Sequence, residues 1–91
     1  MPQQVAATPE ELRRFAGNLK QFDAELQSSM ARLQAQFYRL GDTWRDQEHV
    51  RYAQEFEQTM RVLHRFIQTS EQHIPFLLRK AQRLEEDLHP R

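Results

Sequence analysis

The chain has 91 residues, enough for one small domain, and its 13 Lys and Arg balance 13 Asp and Glu. A formal charge of zero argues against a nucleic-acid-binding arm, the lack of Cys removes disulfides, Cys-based zinc sites and thiol nucleophiles, and only 2 Gly leave no glycine-rich phosphate loop. At 38% hydrophobic and 29% charged, the composition is too apolar for a disordered chain and too polar for a membrane protein, and it points to a helical protein that is not an enzyme.

Residues 1–8 read as an extended start, without the basic residues or the apolar stretch of a secretory signal peptide. Thr8-Pro9-Glu10-Glu11 is a helix start. Thr8 can cap, Pro9 suits the first helical position, and Glu11 can reach back to the Thr8 N–H to close a capping box. Leu12, Leu19, Leu26, Leu33 and Leu40 then recur every seven residues. Phe15 and Phe22 fill the half-heptad positions, and after Ser29 that role drifts one residue onward to Met30 and Phe37. Such a narrow seam suits a partner helix at a shallow crossing angle. Gly41 stops the helix, on the expectation that it takes the left-handed conformation favoured at a C-terminal cap. The first helix is therefore predicted at about 9–40, followed by a turn over 41–45.

Asp46 is the expected N-cap of the second helix, with Asp42 as the alternative. From His49 the series Ala53, Phe56, Met60, Leu63, Ile67, Ser70, Ile74, Leu77, Ala81, Leu84 and Leu88 alternates spacings of four and three without a break. It predicts one helix over about 46–88. Pro75 lies inside it and predicts a kink; the alternative is an end near Glu71 with a short separate helix from Pro75. A connection this short makes the helices antiparallel, so the fold class is all-α, an antiparallel two-helix hairpin.

The hairpin looks incomplete. The second helix outruns the first by roughly 16 Å, so Phe76, Leu77 and Leu78 and the seam beyond them are expected to project past the start of the first. A flanking stripe, Tyr52, Thr59, Val62, Phe66, Thr69, His73 and Phe76, runs beside the seam. Either it widens the intramolecular seam or it meets another hairpin. The second reading makes Tyr52, Val62, Phe66, Phe76, Leu77 and Leu78 a partner interface, most economically in a four-helix bundle dimer.

Other chemistry is thin. His49, His64, His73 and His89 include no pair spaced for a helical metal face, so no metal or cofactor is expected. His49 is expected to be a satisfied, half-buried imidazole. Arg79, Lys80 and Arg83 are followed at once by Glu85, Glu86 and Asp87, which reads as a solvated face rather than a nucleic-acid contact. The longest apolar run, Ile74 to Leu78, is five residues against the ~20 of a membrane span. Trp44, the sole Trp, lies in the turn and is expected to plug the hairpin core against Leu40 and Phe37.

Two antiparallel helices with a Trp in the connecting turn, over Leu40-Gly41-Asp42-Thr43-Trp44-Arg45-Asp46, resemble the WxG-motif family of small ESAT-like type VII secretion substrates. Leu40 and Phe56 fit that family's apolar spacing around the Trp. The resemblance makes Gly41, Trp44 and Asp46 the turn motif. It implies a homodimer or heterodimer with a similar helical hairpin, a secretion ATPase as a further partner, no enzymatic activity, and export from the cytoplasm without a cleaved signal peptide. The family's glycine two residues after the Trp is Asp46 here, and no Tyr follows Tyr52 to form its Tyr-x-x-x-Asp/Glu tail signal. The alternative is a cytoplasmic coiled-coil adaptor or structural subunit unrelated to secretion.

Overall fold

The structure, a computed structural model, describes residues 7–88. Two helices account for nearly all of them: α1 (Pro9–Leu40) and α2 (Gln47–Leu88). They pack side by side as an antiparallel hairpin, with a radius of gyration of 20.2 Å against about 12 Å for a compact chain of this length. Most of the expected extended start lies outside the described residues.

Each helix end has a local cause. The Glu11 N–H donates to Thr8 Oγ1 (3.2 Å) and the Thr8 N–H donates to Glu11 Oε1 (2.9 Å), with Pro9 in the first turn. These bonds from Thr8 hold the Glu11 carboxyl below the usual carboxylate range. At the other end of α1 the expectation for Gly41 fails. Its φ of −64° and ψ of −15° are right-handed, and no described residue has a positive φ. Glycine is needed there for closeness: a Cβ would lie 3.3 Å from the Tyr38 carbonyl oxygen and 3.7 Å from the His49 ring. The chain keeps turning, with the Asp42, Thr43 and Trp44 N–H groups donating to the Arg39 and Leu40 carbonyls. Asp46 caps α2, its Oδ1 accepting from the His49 N–H at 3.0 Å. The helix then runs through Pro75 to Leu88.

The seam of α2 follows the sequence pattern, with Met60, Ile67, Ser70 and Ala81 buried and the intervening members half-buried as far as Leu84. The seam of α1 does not drift at Ser29. Phe15 and Phe22 are 56% and 50% exposed, whereas Ala16 and Asp23 are 1% and 5%. The inward series is Leu12, Ala16, Leu19, Asp23, Leu26, Met30 and Phe37, with Leu33 in the same frame but 47% exposed at its edge, spaced four and three throughout. A change of phase at Ser29 would put two spacings of four in succession, Phe22 to Leu26 to Met30, which locally unwinds the helix pair, and one continuous frame avoids it. Met30, Met60 and Ile67 form the centre of the core, flanked by Leu26, Phe56 and Leu63.

The long overhang is also corrected. Arg13 donates to both Glu85 carboxylate oxygens, at 3.2 and 2.8 Å, and that bond raises the Arg13 pKa. Pro9 and Ala81 are both buried. Leu77 and Leu84 are half-buried, so the part of α2 beyond this clamp is short. The reason lies in the connection: Gly41 faces His49 rather than residue 46, because the chain uses residues 42–46 to cross over.

Candidate partner interface

The turn end is an aromatic stack. Phe37 lies at 4.6 Å from Phe56 and 5.3 Å from His49, near-parallel to both, and Tyr52 approaches Phe37 at 5.7 Å. Trp44 meets His49 at 5.0 Å and Tyr52 at 6.0 Å. Its ring partners among the described residues are thus α2 side chains, and it joins Phe37 only through them. The indole N–H donates to Asp46 Oδ1 at 2.9 Å. One carboxylate oxygen therefore caps α2, as the sequence predicts, and also fixes the indole, a second role that the sequence does not show. His49 is not the satisfied imidazole expected: its Nε2 is buried and has no hydrogen-bond partner among the described residues.

From this end an uncovered apolar face runs along one flank of the seam. Leu40, Leu33, Phe22 and Phe15 come from α1, and Tyr52, Val62, Phe66 and Phe76 from α2, each between about 44% and 56% exposed. Phe22 and Phe66 touch edge to face at 6.0 Å. Shallow grooves break the face, among them one of about 370 Å³ between Leu33, Leu40, Tyr52 and Phe56, and one of about 360 Å³ between Phe15, Leu19, Phe66, Phe76 and Leu77. The sequence reading found the α2 half of this face but assigned Phe15 and Phe22 to the seam. Phe66, Phe76 and Leu77 line one groove together, while Tyr52 lines the other, nearer the turn. Val62 stands one turn from Phe66 on the outer margin. Leu78 does not join them: twelve residues beyond Phe66, it is rotated about 120° away, to the far flank of the seam. Leu77 is half-buried in the seam and forms the floor of its groove.

The face is almost free of charge, with Glu55 at its edge and His73 in the second groove. The far flank is more polar, with Gln34, Asp42 and Glu57 around an opening of about 510 Å³ beside Phe37 and His49. Among the described residues no three potential ligands gather for a metal ion, and no helix is long and apolar enough to cross a membrane.

A two-helix hairpin with one largely uncharged, aromatic flank defines the class, a small all-α helical-hairpin protein. Residues 4–87 match the family WXG100, described as proteins of 100 residues with WXG, and the chain belongs to that family. Three crystal structures of the secreted protein EsxB from Bacillus anthracis str. Sterne share its fold. One point mutant of EsxB is 26% identical with a TM-score of 0.73, covering 100% of both chains. The wild-type protein in space group P21 is 29% identical with a TM-score of 0.75, over 93% of this chain and 91% of that one. A second point mutant, in which a proline is replaced by alanine, is 30% identical with a TM-score of 0.77, over 91% and 93%. A comparison with curated protein sequences returned no match.

Proposed function

We propose that the protein is a non-enzymatic type VII secretion substrate, or a dimeric component associated with that secretion, and that it works as half of a four-helix bundle. The observation that carries this is the uncovered face from Leu40 and Tyr52 to Phe15 and Phe76. Eight large side chains left about half exposed offer roughly 800 Å² of apolar surface per chain, the amount each partner contributes to a standard stable interface. Membership of the WXG100 family and likeness to a secreted EsxB support the secretory part. The occupant is a second hairpin, another copy or a similar chain, because its own apolar face is equally long, flat and uncharged. Trp44, Asp46 and Gly41 hold the turn end in shape for a secretion ATPase to meet.

Light scattering at tens of micromolar tests the assembly. The expected mass is twice the 11.0 kDa of the chain, alone or after co-expression with a similar hairpin, and a monomer under both conditions refutes the bundle. Measuring the protein in culture medium tests the secretory part. A dimer that stays wholly inside the cells supports the adaptor reading instead.

A further inference from the structure

Leu12, Leu19 and Leu26 belong to two possible seams at once. With Ala16 and Asp23 they make the seam that the structure uses. With Phe15 and Phe22 they make a second, with the same alternation of threes and fours. At about 100° per residue the two seams are only about 50° apart around the helix, and the leucine line faces inward in both.

The seam in use carries a cost. Asp23 is 5% exposed, and neither carboxylate oxygen accepts a hydrogen bond among the described residues. A buried polar group without a partner is unfavourable, and two half-exposed phenyl rings add to the imbalance. The other seam would put both rings against α2 and return Asp23 to water. Room for that roll is present. Phe15 and Leu19 border the groove of about 360 Å³ whose opposite wall is Phe66 and Leu77, and Phe22 already touches Phe66. Seen within one hairpin, the observed arrangement forgoes apolar burial. It becomes favourable when a second hairpin covers Phe15 and Phe22 where they stand.

We infer that the first half of α1 is a two-position element coupled to assembly, an inference that rests on the bundle reading above. In the lone chain it rolls by about 50°, tucking Phe15 and Phe22 against α2 and releasing Asp23. A second hairpin takes the two rings and turns α1 to the seam with Ala16 and Asp23 inside. Asp23 is thus the residue that makes the assembly-ready form a minor one in the free chain, which weakens apparent affinity by the fraction that is ready.

The absence of Cys makes thiol labelling a clean probe. Single variants Ala16→Cys on α1 and Ser70→Cys on α2 place a thiol at two buried seam positions. Each is treated with iodoacetamide across a dilution series, with mass followed in the same samples by sedimentation. In the dimer both thiols react slowly. On dissociation, labelling of Ala16→Cys rises by about tenfold or more while Ser70→Cys stays within about threefold, since only α1 rolls. Adding Asp23→Leu to Ala16→Cys restores slow labelling in the monomer, because a leucine there favours the seam already in use. Equal protection of the two thiols in the monomer, or equal exposure, overturns the roll and leaves the bundle standing. A mass of one chain at every concentration removes the bundle and the roll together.

Discussion

Replacing Phe66 by alanine removes a ring that stands in the middle of the uncovered face. Phe66 is 44% exposed. A buried aromatic side chain covers about 200 Å², so about 90 Å² of Phe66 awaits a partner, worth about 2 kcal/mol at 25 cal/mol per Å². A two-fold bundle contains the residue twice. The expected loss is therefore about 4 kcal/mol of association, close to a thousandfold in Kd. Within one hairpin the covered remainder of the side chain, about 110 Å², includes the edge-to-face approach of Phe22 and is worth about 3 kcal/mol of folding stability. The two effects separate by assay. Sedimentation equilibrium reads the Kd, and circular dichroism at a concentration where the wild type is also monomeric reads the helix. A change in Kd of less than about threefold, with the helix content intact, would refute the claim that this face is where chains meet.

Three further outcomes follow from local geometry. Asp46→Ala removes the cap of α2 and the indole acceptor together, so it should lower stability by about 1 kcal/mol, a fall of some 4–8 °C in Tm, and reduce the Trp44 fluorescence anisotropy; Asp46→Asn should preserve both. Gly41→Ala should lower stability by about 1 kcal/mol in a thermal melt, because the backbone there is right-handed but a Cβ would press on the Tyr38 carbonyl oxygen; an unchanged or raised Tm would refute the close fit. The Glu11 carboxyl should titrate below an ordinary glutamate in an NMR pH series and rise only part of the way in Thr8→Ala, which removes the hydroxyl but keeps the residue-8 N–H. Its depressed value means that the cap contributes above the ordinary carboxylate range and is lost as pH falls through the folded-state value, so Thr8→Ala should cost more at neutral pH than in acid.

Much of this molecule is written along the chain. Thr8, Pro9 and Glu11 announce the start of α1 through bonds that span three residues, and Asp46 does the same for α2. The spacing of four and three from His49 to Leu84 marks the inward line of α2, because that series is unbroken while the flanking stripe is interrupted by Thr59, Thr69 and His73. The WxG-like turn is equally local, and with the helix lengths it led to the family that the comparisons then established. What failed to be legible was phase and level. In α1 Leu12 and Leu19 have Phe15 and Phe22 at three residues and Ala16 and Asp23 at four, and periodicity is satisfied by both. Bulk hydrophobicity favours Phe15 and Phe22, yet the structure buries Ala16 and Asp23.

The alignment of the two helices was hidden for a similar reason. Counting outward from the turn assumes that pairing begins at once, but the chain spends residues 42–46 crossing from one helix to the other, and the His49 ring packs on Gly41. That shift carries Arg13 to Glu85 and shortens the free end of α2. It also explains why Gly41 must be small without being left-handed. The chain by itself determined two helices, their caps, their shared seam of leucines and the turn between them, since each depends on residues within a few positions of one another. Only the packed hairpin decided which flank of α1 points inward, how far the helices slide past each other and that Leu78 leaves the face of Phe66. Those depend on surfaces that meet across the pair, and no interval along the sequence records them.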